Sequence, residues 1–149
     1  MADGVSHSVD VRDKPKFLRR VMFELAGNAR MSLEGDLSHC QFAKDVIVTD
    51  AETAILKRNT IAPRQDFLVL RLTSETCGPI LGQVMAGKGL KRAIIHVQIE
   101  RDDVLELGAY DNFDRECVVA GPGISSVLLD ELKSTKVLRD FKVAASRRM

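Results

Sequence analysis

Along this chain the spacing of apolar positions changes period several times, and each change marks an element. Phe17, Leu18, Val21, Met22 and Leu25 recur at helical spacing opposite Lys16, Arg19 and Arg20, which predicts an amphipathic helix with Pro15 in its first turn. Gly27 and Asn28 stop it. Ala29, Met31, Leu33, Gly35 and Leu37 then alternate with Arg30, Ser32, Glu34 and Asp36, the pattern of a strand with one wet face, and that face implies an uncovered side of the sheet. Residues 46–48 read as a second strand. Thr49 and Glu52 have capping-box spacing, so 51–58 reads as a short helix ending near Asn59. Beyond Pro63, residues 67–72 are apolar on both faces except Arg71, as expected of a central strand.

Thr73, Ser74 and Thr76 offer caps to a helix carrying Ile80, Leu81, Val84 and Met85, ended by Gly87 or Gly89. Gly78, Gly82 and Ala86 make a smooth stripe on it that suits close packing. Residues 93–99 and 104–110, joined by the polar turn 101–103, predict an antiparallel hairpin. After a turn at 111–114, residues 117–120 form a short strand ending at Gly121, Pro122 and Gly123. A final helix opens near Ser125 and runs through Phe141.

This order predicts an α+β fold: a single domain over residues 15–141, with a mixed β-sheet of about five or six strands and helices packed mainly on one face. Residues 1–14 read as a mobile tail and 142–149 as a frayed basic end. The strands at 67–72 and 93–99, linked by a helix, should run parallel, and the strand at 117–120 should return parallel to both. The helices starting near Ser74 and Ile124 would then begin at one edge of the sheet, where open sheets often hold ligands.

Composition narrows the function classes. Apolar residues make up 45% and charged residues 29%, which excludes a disordered polar chain, a collagen-like repeat and a coiled-coil rod. The net charge of +1 advertises no nucleic acid, membrane surface or acidic substrate. Cys40, Cys77 and Cys117 are odd in number and far apart, poor material for a disulfide framework, and point to a reducing compartment. With no secretory apolar run near the start and no stretch of ~20 apolar residues, the expectation is a cytoplasmic protein that does not enter a membrane.

The candidate chemistry gathers at the two helix starts. Gly121 and Gly123, with Ser125 and Ser126 behind them, follow a strand and open a helix, a context in which backbone N–H groups hold a phosphate or carboxylate. The third glycine of a dinucleotide fingerprint is replaced by Ser126, and the lysine of a phosphate loop is missing. Ser74, Thr76 and Cys77 make the companion edge, so these seven residues form the expected ligand site. Cys77 in a first helical turn has the placement of a nucleophile, but the residue three on is Ile80 rather than a second cysteine, and a buried thiol is the simpler reading. His96 alternates with apolar neighbours as a core or surface histidine would. His39 and Cys40, being adjacent, should point apart and share no metal; neither a metal nor another cofactor is expected.

Charge is unevenly spread. Residues 100–116 carry seven acidic side chains and two arginines, whereas 131–149 carry six basic and two acidic, so solvated loops of opposite sign are expected. Basic positions lack interleaved aromatics, which leaves specific nucleic-acid recognition as the weakest of the alternatives. Tyr110 and Phe113, in and beside a polar turn, fit either an interface anchor or a cap over the sheet end. The leading expectation is a non-catalytic regulatory or accessory protein acting through a protein partner or self-association. The rival is a ligand-binding domain or small enzyme holding an anionic metabolite at the two helix starts.

Overall fold

In the computed structural model, which describes residues 5–86 and 89–144, the chain order is β1 (His7–Val11), α1 (Lys14–Leu25), β2 (Ala29–Gly35), β3 (Ile47–Thr49), β4 (Asp66–Leu72), α2 (Cys77–Val84), a π-helical turn (Gly89–Ala93), β5 (Ile94–Arg101), β6 (Val104–Ala109), β7 (Val118–Ala120), α3 (Ser126–Ser134) and β8 (Leu138–Val143). The strands form one sheet in the order β3-β4-β2-β5-β6-β7-β1-β8, and every pairing is antiparallel. Among the described residues no helix is long and apolar enough to cross a membrane.

The expected mixed sheet of about five or six strands, with helices packed mainly on one face and the other side open, is not the one the chain forms. Among the described residues the sheet has eight strands and is wholly antiparallel, because β2 inserts between β4 and β5 and β1 inserts between β7 and β8. β4, β5 and β7 do run in one direction, but an antiparallel strand separates each from the next of its kind. The reverse face is not bare: irregular residues 50–65 roof it over β4, β2 and β5, where short-range capping had suggested a helix.

Two strands lie where none was expected. In β1, His7, Val9 and Val11 are buried while Ser8 and Asp10 are not, a short two-residue period inside the supposed mobile tail. Pairing with β7 and β8 orders it, so residues 7–11 are core rather than tail. The final helix ends at Ser134 instead of reaching Phe141; Lys136 turns left-handed at φ +68° and the chain leaves as β8. Residues 1–4, Gly87 and residues 145–149, about which tail and helix-end expectations were also made, lie outside the described residues.

At α1 and at the β5–β6 hairpin local pattern and structure agree. Asp13 caps α1, its carboxylate accepting from the Lys16 N–H at 3.1 Å, and Phe17, Leu18, Val21, Met22 and Leu25 are buried. The β5–β6 hairpin turns on Asp102 and Asp103, both at positive φ as a tight right-twisted connection requires. One large cluster joins α1, α2 and α3 to Met31, Leu33, Leu70, Leu72, Val97 and Ile99; a small second one, Leu56, Phe67 and Val69, lies under the roof.

Candidate functional site

The alternation that places Met31 and Leu33 in the main core turns Ser32 and Glu34 to the reverse face, and register brings Gln98 and His96 alongside them. All four are buried. A buried polar group is costly unless paired, and here the roof supplies several of the partners: the amides of Lys57, Asn59 and Thr60 and the Thr60 hydroxyl. Glu34 accepts from the amides of Asn59 at 2.8 Å and Thr60 at 3.2 Å. Gln98 Oε1 accepts from the Lys57 amide at 3.1 Å and from the Ser32 hydroxyl at 3.2 Å, while its Nε2 donates to the Tyr110 hydroxyl at 3.0 Å. His96 Nδ1 accepts from the Asp111 amide at 3.1 Å; the ring proton therefore sits on Nε2, which donates to the Thr60 hydroxyl at 2.7 Å. Sheet side chains thus fasten an irregular segment that has no ladder of its own.

Beside this roof lies a cavity of about 810 Å³, whose walls carry Asp50, Glu52, Asp66, Arg58 and Arg64. Its charges are of both signs. Arg58 donates to the Gln65 carbonyl at 2.6 Å and lies 5.1 Å from the centre of the Phe67 ring, while its amide donates to Glu52 at 2.8 Å. Asp66 accepts from the Leu37 amide at 3.0 Å. Arg64 is exposed and makes no ion pair with another described residue. At the tip of the roof Ile61 is 96% exposed, a large apolar group held in water by a loop that is fastened beneath it.

The two expected ligand edges begin at one end of the sheet, since β4 and β7 share a direction, but four strand intervals, ~19 Å, separate them. Three donors there, the Gly121 and Gly123 amides and the Thr76 hydroxyl, are already used. Gly123 donates its amide to the Glu106 carboxylate at 2.8 Å and Gly121 donates to the Glu106 carbonyl at 2.7 Å, so the chain's own buried Glu106 occupies the presumed anion cradle. Ser125 caps α3 by accepting from the Leu128 amide at 3.2 Å; Ser126 is the exposed first residue of that helix. Thr76 donates its hydroxyl to the Arg71 carbonyl at 2.7 Å, and Ser74 is exposed in the turn before α2. Cys77 is fully buried, and burial pushes its thiol above the ordinary range.

Phe113 is a core residue. It is 4% exposed and meets Phe17 edge-on at 6.3 Å, at the end of three consecutive left-handed residues, 111–113. Asn112 secures that turn by donating its side-chain amide to the Leu90 and Ile94 carbonyls, each at 2.9 Å. Tyr110 is half-buried and serves Gln98, so neither aromatic stands at the surface as an anchor. His39 and Cys40 do not point apart as adjacency suggested: the loop folds Cys40 Sγ to 3.4 Å from His39 Nε2. Burial, with Asp36 as the smaller cause, still raises the Cys40 thiol.

What the sequence reading passed over is the segment from Arg58 to Asp66. Its signal was Ile61, isolated among Thr60, Ala62, Pro63 and Arg64, the same pattern that drew attention to Phe113. The site therefore belongs to an antiparallel α+β sheet domain with a loop-roofed reverse face. No family model, curated protein or solved structure matches the chain.

Proposed function

We propose that this domain is a non-catalytic binding module that acts by contact with another polypeptide, seated on the tip of the roof and the adjoining groove. The observation that carries this reading is Ile61: an apolar anchor, 96% exposed, on a loop whose Lys57, Asn59 and Thr60 amides donate to Gln98 and Glu34 and whose Thr60 hydroxyl is bonded to His96. Fastening lowers the ordering cost that binding would otherwise incur. The groove supports a protein partner over a polyanion, because both carboxylates and guanidiniums line its walls, and its polar lining is unlike the apolar pockets that small metabolites favour. The rival reading, a small anionic ligand at the helix starts, loses support from the Glu106 carboxylate already held there. Three unpaired thiols favour the reducing environment of the cytoplasm.

A photo-crosslinking amino acid replacing Ile61 tests this in cells, with the same substitution at Val127, 75% exposed on α3, as control. A discrete adduct from position 61 and none from position 127 is expected; an adduct of twice the chain mass identifies self-association. No adduct from position 61, or the same set from both, overturns the proposal.

A further inference from the structure

A second surface lies on the other side of the sheet. Between α1 and the segment joining α3 to β8 runs a groove of about 520 Å³, lined by Lys16, Arg19, Arg20, Phe23, Leu132 and Val137. Its floor is apolar: Leu132 and Val137 are buried, and Phe23 remains 46% exposed although it belongs to a well-packed helix. Among the described residues every charged group lining it is a cation. Lys16, Arg19, Arg20 and Phe23 stand at i, i+3, i+4 and i+7, so one stripe of α1 carries all four, and like charges at this spacing repel one another. Arg20 is paired with Glu24 at 3.0 Å and Lys16 lies 3.9 Å from Asp13, but the contact found for Arg19 is the Phe23 ring, 5.7 Å away.

From this complementarity we infer that the groove docks an acidic amphipathic helix of a partner protein. The apolar ridge of such a helix fills the floor over Phe23, Leu132 and Val137. Its carboxylates meet Arg19, which makes no ion pair with another described residue, and the exposed Lys16 one turn before it on the same stripe of α1. A concave seat suits a helical ridge better than a bilayer, which needs a projecting apolar surface. A second copy of this chain is a poorer occupant through its acidic turn at 111–116, because the aromatic there, Phe113, is buried against Phe17. The inference deepens the binding-module reading but uses a different surface, so the two fail separately.

The test is fluorescence anisotropy on the full chain with a labelled synthetic helix bearing a leucine ridge flanked by glutamates. Saturable binding that weakens with added salt is expected, with a loss of ~10-fold or more in Arg19→Glu and in Phe23→Ser, little change in Arg19→Lys, and none in Ile61→Asp. Both altered side chains are exposed, and unchanged thermal unfolding will show that the variants fold. The inference is overturned if the peptide does not bind, if a glutamate-to-lysine or leucine-to-serine peptide binds equally well, or if Arg19→Glu and Phe23→Ser bind like the parent. Binding of phosphatidylglycerol vesicles in place of the peptide would overturn it in favour of a membrane surface.

Discussion

Glu34 is the fastening on which the exposed loop depends most. It is 1% exposed, and its two oxygens accept from consecutive backbone amides, Asn59 at 2.8 Å and Thr60 at 3.2 Å, with no ion pair to it among the described residues. In Glu34→Gln the side chain keeps one acceptor, and its NH₂ group then faces an amide N–H donor to donor. A hydrogen bond to a charged group contributes about 1.5–3 kcal/mol net, and the longer of these two bonds belongs at the low end, so the expected loss is ~2 kcal/mol. Glu34→Ala removes both bonds and the buried methylenes, for ~4 kcal/mol and a melting temperature lowered by roughly 10 °C. Urea unfolding gives the first quantity and calorimetry the second. Amide hydrogen exchange gives the local signature: Asn59 and Thr60 should lose protection while Met31 and Leu33, held in the β2 ladder, keep theirs. A Glu34→Gln protein within ~0.5 kcal/mol of the parent, with both amides still protected, would refute the claim that the sheet holds the roof.

The other expectations concern separate parts of the molecule. In Gly123→Ala the new Cβ would collide with the Glu106 carboxylate, so a loss of about 1–3 kcal/mol by urea unfolding is expected, with non-additivity when combined with Glu106→Ala. Burial, and secondarily Asp103, raises the Glu100 carboxyl, while Arg30 opposes the shift. A folded value above the unfolded one means stability present below the ordinary glutamate range and lost as pH rises through the folded value. Glu100→Gln should therefore be more stable than the parent at neutral pH and equal to it near pH ~4, as urea midpoints across that interval will show. A maleimide followed by mass spectrometry should label the partly exposed Cys40 and Cys117 in the native protein and Cys77 ~100-fold more slowly, with all three equal once the chain is unfolded.

The elements that local pattern revealed are those whose partners lie close in sequence or whose period is long enough to stand alone. The five-residue stripe of α1, the alternation of β2 and the β5–β6 hairpin are of this kind. β1 and β8 are short, and each is a strand because the other lies beside it, Val9 opposite Phe141 across most of the chain. The exposed tip could have been suspected from Ile61 alone, as Phe113 was, but nothing near either residue distinguishes the aromatic that turns inward from the aliphatic that stays out.

Local spacing thus determined the helical stripe of α1, the central strands and the β5–β6 hairpin. Tertiary structure alone decided the sheet order, the edges of the domain and the fate of every buried polar group. The reason lies in hydrogen bonding: Glu34, His96, Gln98 and Glu106 are satisfied equally well by water or by the backbone of a distant loop, and an alternating polar pattern reads the same in either case. Only the folded chain shows that the loops at 57–60 and 121–123 take water's place.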